Sequence, residues 1–288
     1  MDVRKKILIS SACLILIAVA IVIAAPSGLM SGQILGSSSG LAKIDSSLNS
    51  RMDSGGDDIP IIVILNGKDS PELSGIDVKY RYHLINGVAG SAKPEAIKKI
   101  AQSDSVKMIY LDDTAKLAQP IGARLGNGTI VPAKNVNADA LWSRGIDGRG
   151  VIVAVVDSGI DKNHPDLAGK VIGEKNFVKS ESTTNDLLGH GTSVAGIIAG
   201  SGAASGGKYR GIAPGASLLN VKVIDKSGNG QVSDIIAGIE WALDNNAKVI
   251  SLSLAGLNLG ETNPPVTMAA DNAMDAGAVI CVAAGNSG

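Results

Sequence analysis

The chain has 288 residues, 45% of them hydrophobic, with 26 basic side chains against 27 acidic ones. That length fits one or two domains with a buried core, and a net charge of −1 gives no electrostatic case for a nucleic-acid partner or a polybasic membrane patch. Thirty-six glycines with only 18% charged residues argue against a coiled coil or an acidic disordered chain, and two cysteines, Cys13 and Cys281, cannot build a disulfide framework.

Arg4, Lys5 and Lys6 precede an uncharged apolar stretch from Ile7 to Ala25, the pattern of an export signal. As a helix this stretch would reach roughly 28 Å, close to the ~30 Å bilayer core. Residues 1–26 therefore read as a leader cleaved near Ala24-Ala25 or as an uncleaved anchor through residues 7–25. Cys13 lies inside the apolar run and reads as a packing residue. From Ser27 to Gly56, 15 of 30 positions are Ser or Gly, so residues 27–57 read as a flexible tether with too little apolar surface to fold.

Ile59 to Leu65 is an apolar run bounded by Pro60 and Asn66-Gly67, which predicts a strand. Val78, Tyr80, Tyr82 and Leu84 alternate with Lys79, Arg81 and His83, the signature of a half-buried strand. His83 falls on its polar face and reads as a solvated surface histidine. Pro94 suits a first helical turn, Ala96, Ile97, Ile100 and Ala101 form one apolar face, and Val106 to Leu111 is the next strand. Residues 58–118 thus read as a small α+β unit. Residues 119–134, with Pro120, Gly122, Gly126, Gly128 and Pro132, read as an exposed connection open to proteolysis.

Beyond that, continuous apolar strands at Val151–Val156, Ser217–Ile224, Val249–Leu254 and Ala278–Ala283 alternate with helices. The helices fall near His190–Ala199, after Ser233 as N-cap, and over about Val266–Ala276. This predicts an α/β fold, a doubly wound, mostly parallel sheet covered on both faces over residues 135–288. Function in such folds collects at the carboxyl ends of the strands. Asp157 follows the first strand and Asn286 the last, and His190 opens a helix between them, flanked by Gly189 and Gly191. A carboxylate, an imidazole and a carboxamide at one sheet edge suit nucleophilic acyl transfer. Cys281 reads as a small core residue, and His164, with Asp161 and Asp166 near it, as a structural loop histidine rather than a metal ligand.

The chain resembles the subtilisin-like serine proteases. The resemblance rests on Asp157-Ser158-Gly159-Ile160 with Asn163-His164-Pro165-Asp166-Leu167, on His190-Gly191-Thr192 through Val194-Ala195-Gly196, and on Ala284-Gly285-Asn286. Gly211-Ile212-Ala213-Pro214-Gly215-Ala216 and Gly238-Ile239-Glu240-Trp241-Ala242 match the family's spacer segments. Residues 58–118 resemble its inhibitory propeptide, notably around Ile85-Asn86-Gly87 and Tyr110-Leu111-Asp112-Asp113. The resemblance implies that Asp157 orients His190, that His190 is general base and then general acid, and that Asn286 donates its amide to the oxyanion. A polypeptide substrate would lie as an added strand between Gly228–Gly230 and Ser253–Ala255, touching Gly228, Gly230, Ser253, Leu254 and Ala255. Ala255 stands where the family usually has Gly. No metal ligand set is expected and no cofactor is required. Calcium stays open as a structural ion, because Asp166 matches a position that helps bind it in some subtilisins.

The family's order is Asp, His, Ser, yet no Gly-Thr-Ser-(Met/Leu)-Ala-x-Pro segment follows His190. Gly191-Thr192-Ser193-Val194-Ala195 imitates one, but the histidine motif already accounts for these residues. The expectation is an exported protease zymogen that is C-terminally incomplete and lacks the nucleophile region, with these 288 residues alone inert and poorly stable. The rival is a secreted pseudoprotease or peptide-binding module that keeps the cleft. An aspartate-nucleophile phosphatase fails because Gly159 stands where a second Asp belongs. A dinucleotide module fails because Gly148-Arg149-Gly150 precedes its strand.

Overall fold

The computed structural model describes residues 42–67, 73–117, 132–255 and 264–284. Residues 7–25 lie outside these. Among the described residues, no helix is long and apolar enough to cross a membrane.

The described residues open inside the stretch expected to be tether. Helix α1 (Ser46–Asp53) is capped by Asp45, whose carboxylate accepts from the N–H groups of Ser47 and Leu48. Leu48 and Met52, one turn apart, are buried, and Ile44 bridges to Ile109. Of the tether expected at residues 27–57, residues 27–41 lie outside the described residues; for residues 42–57 the reading is corrected, because Ser-rich composition masked a capping Asp and an i, i+4 apolar pair. The unit continues through β1 (Ile59–Leu65), β2 (Ile76–Tyr82), β3 (Gly87–Ala92), α2 (Pro94–Ala101) and β4 (Val106–Leu111). Its antiparallel strands run in the order β2-β3-β1-β4. Strand β1 is buried on both faces. Ile59, Ile61, Val63 and Leu65 join α1 and α2 in one cluster, while Ile62 and Ile64 join a second cluster reaching into the rest of the chain. That double burial explains why its sequence is an apolar run rather than an alternation. The expected strand at Val78–Leu84 ends at Tyr82, where the turn over residues 83–86 leads into β3 and holds His83; a register shift between Val78 and Tyr80 also interrupts its alternation.

A short strand β5 (Thr114–Leu117) follows, and α3 (Pro132–Asn135) and α4 (Asp139–Trp142) lead into the second unit. The processing segment expected at 119–134 lies outside the described residues up to 131, and its last residues begin α3. The second unit holds β6 (Ile152–Asp157), β7 (Val171–Asn176), α5 (His190–Ala199), β8 (Ser217–Lys222), β9 (Asn229–Gln231), α6 (Val232–Asp244), β10 (Val249–Leu252), β11 (Leu254–Ala255), α7 (Pro265–Asp275) and β12 (Val279–Val282). A parallel sheet in the order β12-β10-β6-β8-β7 forms its centre. Strand order reverses at β6, so the carboxyl end of β6 is the switch point. Val153 and Val155 pack with Ala195 and Ala199 of α5 on one face. Ala154 and Val156 pack with Ile235, Ile236 and Ile239 of α6 on the other. The doubly wound α/β reading is thus the fold observed.

Two expectations change. Ser233 does not cap α6: the helix opens at Val232, and the Ser233 N–H is met by a carboxylate from the first unit. Cys281 is exposed rather than buried, because among the described residues β12 is the outermost strand of its sheet; Val279 and Val282 are exposed with it.

Candidate active site

Asp157 ends β6 and is buried, and His190 is the first residue of α5. The His190 Nδ1 lies 2.8 Å from Asp157 Oδ1. A carboxylate oxygen accepts, so Nδ1 carries the proton and Nε2 is left to take one from elsewhere. Ser158 N–H also donates to Oδ1 at 2.7 Å, and Asp157 Oδ2 is buried with no hydrogen-bond partner among the described residues. The hydrogen bond to Asp157 holds the imidazole above its ordinary pKa against partial burial, and the charges of Asp157 and Asp186 act in the same direction.

The close approach of α5 to β6 requires Gly191. A Cβ there would overlap the Gly159 carbonyl and press to 3.2 Å from Asp157 Oδ1. Sequence reasoning passed over two further groups here. Asp186 takes several donors around the start of α5. Lys222 is fully buried, donates to the Ser158 carbonyl and pairs with Glu181 at 3.0 Å. A charged residue four positions before His190, and a lysine closing an apolar strand, were the available signals.

Gly228, Gly230, Leu254 and Ala255 come together around a strand of the chain itself. β5 lies between β11 and β9, antiparallel to both. Ala115 pairs with Gly230, Lys116 with Ala255, and Leu117 with Leu254, while Leu117 N–H donates to the Gly228 carbonyl at 3.1 Å. Ser253, half-buried, precedes β11. Asn286 lies outside the described residues.

A second contact clamps the first unit to the N-terminal end of α6. Asp112 accepts from Ser233 N–H at 2.8 Å, a carboxylate at the positive end of a helix. Lys79 pairs with Asp234 at 2.7 Å, Tyr80 OH donates to the same carboxylate, and Tyr82 OH donates to the Ser233 carbonyl. Glu240 Oε2 accepts from the N–H groups of His83 and Leu84. Burial raises the Asp112 carboxyl above the usual range despite its hydrogen bonds to Ser233. The His83 ring is exposed, 3.3 Å from Glu240 and 3.5 Å from Asp244.

His164 Nδ1 accepts the Asp166 N–H, and Asp166 Oδ1 accepts the Ala204 N–H, so both finish turns. Among the described residues no group of three or more His, Cys, Asp or Glu side chains could hold a metal ion, which offers calcium no carboxylate cluster.

Residues 148–288 match the subtilase family, and residues 39–118 match the peptidase inhibitor I9 family. The chain is 37% identical over 222 residues to serine protease AprX of Bacillus subtilis, covering 73% of this chain and 48% of that protein. It is 40% identical over 223 residues to subtilisin E of the same species, covering 77% and 55%. Among solved structures, fervidolysin from Fervidobacterium pennivorans, a keratinolytic enzyme related to subtilisin, superposes with a TM-score of 0.63 at 25% identity, over 81% of this chain and 40% of that one. The chain spans about half the length of the curated relatives it matches. It belongs to the subtilases, with an inhibitor-type domain ahead of the subtilase segment.

Proposed function

We propose that the chain is part of an exported serine endopeptidase made as a zymogen, in which residues 42–117 occupy the substrate cleft. The observation that carries this reading is β5, the middle strand between β9 and β11, in the slot where a peptide substrate would add. Asp157 orients His190 and supports the imidazolium; His190 Nε2 takes the proton of a serine hydroxyl and returns it to the leaving amine. Asn286 donates its side-chain amide to the oxyanion. The reaction needs no cofactor. Polypeptide is the substrate, the chain's own propeptide is the inhibitor, and residues 7–25 direct export.

We place the nucleophile outside residues 1–288. Two serines near His190 are already engaged: Ser193 Oγ donates to the Gly189 carbonyl at 2.8 Å and Ser158 Oγ to Asp186 at 2.9 Å. The 288 residues alone are therefore expected to take no fluorophosphonate label, and a labelled serine within them would overturn this placement. The protease reading itself is tested on the natural gene product in its host. Labelling that disappears in His190→Ala supports it. A product that takes no label leaves a peptide-binding module that keeps the cleft.

A further inference from the structure

Asp186 stands four residues before His190 in the segment joining β7 to α5. Its Oδ1 accepts from Ser158 Oγ at 2.9 Å, Leu188 N–H at 3.0 Å and Gly189 N–H at 2.8 Å. Its Oδ2 accepts from Thr192 N–H at 2.9 Å and Thr192 Oγ1 at 2.6 Å. These partners lie on both sides of the Asp157–His190 pair. Ser158 directly follows Asp157, and its Oγ also accepts the Gly191 N–H at 3.0 Å. Thr192 Oγ1 accepts the Asp161 N–H at 3.0 Å. Helix α5 has no side-chain cap from its own N-cap residue, Gly189, which sits at φ 93°. Asp186 supplies that function from outside the helix and ties it to the loop leaving β6.

We propose that Asp186 is a positioning residue for His190: one carboxylate fixes the start of α5 against the loop after Asp157 and sets the distance between imidazole and carboxylate. This rests on the reading of His190 as the general base. Burial works against an ionised Asp186, yet its hydrogen bonds from Thr192, Gly189 and Leu188 hold its carboxyl below the usual range, so it is a standing negative charge at neutral pH. The charged groups around His190 are Asp157 on β6, Asp186 on the preceding segment, and, beyond the Ser158 carbonyl, Lys222 of β8 with its partner Glu181. Removing the Asp186 charge alone lowers the imidazole midpoint; a cap that only held the helix would leave the Asp157–His190 hydrogen bond in place, whereas loss of a positioning residue would loosen it.

The test is the His190 titration in the full chain, followed by NMR with ¹³C-labelled histidine and assigned with His190→Gln. In Asp186→Asn the midpoint is expected to move to lower pH, and the downfield Nδ1 proton of the Asp157 hydrogen bond to be lost to exchange. A folded Asp186→Asn chain with an intact Nδ1 proton overturns the proposal, whatever its midpoint. Should Asp186→Asn not fold, Thr192→Val keeps the charge and removes the shortest contact. Faster exchange of the Nδ1 proton is then expected, and an unchanged rate overturns the proposal. The two readings fail separately. A gene product that takes no fluorophosphonate label removes the protease and leaves the titration result standing. An intact Nδ1 proton in Asp186→Asn, with a product that labels, removes only the role of Asp186.

Discussion

At β5 the N-terminal unit meets the rest of the chain through backbone, whereas at the start of α6 it does so mainly through side chains. Lys116, in the middle of the β5 ladder, is exposed and makes its register through main-chain pairs with Asn229 and Ala255. At α6 one backbone bond, from Val232 N–H to the Asp113 carbonyl at 3.0 Å, stands beside the contacts of named side chains: Asp112, Lys79, Tyr80, Tyr82, Glu240. A slot that reads backbone accepts many sequences, because each residue brings the same N–H and C=O. A clamp that reads side chains fits one partner. The N-terminal unit combines both, so a slot that would accept many backbones is filled by one particular segment.

The contrast can be broken or sharpened by substitution. Ile62 is fully buried and faces the cluster shared with α6, so Ile62→Ala should destabilise the whole chain by about 2–5 kcal/mol in denaturant unfolding. A loss under about 1 kcal/mol would mean that the two units do not share that cluster in solution. Asp112→Ala strands the buried Ser233 N–H and should cost about 1–3 kcal/mol of docking, read as faster hydrogen exchange of β5 amides. Lys116→Pro deletes a ladder N–H in a middle strand and should cost about 1 kcal/mol or more. Lys116→Ala, which removes only an exposed side chain, should stay within about 0.5 kcal/mol. Equal effects of the two Lys116 substitutions would erase the distinction between backbone slot and side-chain clamp.

A pH titration gives the smallest and most specific effect. The Asp112 carboxyl is raised when docked, so the docked state holds its proton to higher pH than the undocked state does. Its contribution therefore favours docking as pH falls and is lost as pH rises through the raised value. Asp112→Asn should flatten that dependence in the exchange of β5 amides. His190 has the same sign: its raised pKa adds stability below the ordinary imidazole range, which disappears as pH climbs through the raised value. Asp157→Asn should remove that component.

The sequence made some of this legible and hid the rest for physical reasons. β1 and β4 matched residue for residue, because apolar runs bounded by turn residues carry their own limits. β3 escaped notice because Gly-Val-Ala-Gly-Ser-Ala has little hydrophobic contrast. Its Gly90 is required by the β2 backbone, where a Cβ would overlap the Asp77 carbonyl. β5 has four residues and no pattern, since its strand character comes from the two edges it joins. Asp157 and His190 announced themselves by following a strand and opening a helix between glycines. The cap of α6 could not be read locally, because its acceptor, Asp112, is 121 positions from Ser233.

The second face of β1 has one more consequence. Ile62, Ile64, Tyr82 and Ala89 share a cluster with Ile235, Ile236 and Ile239. If the two units part, both sides of that seam enter water at once, at roughly 25 cal/mol per Å² of apolar surface. Residues 42–117 keep their own cluster of Ile59, Ile61, Val63 and Leu65 with α1 and α2, but a core in so small a piece is marginal by itself. Separation would then weigh unequally on the two sides: the smaller piece falls back on one thin core, while the larger is left with an oily wall along α6.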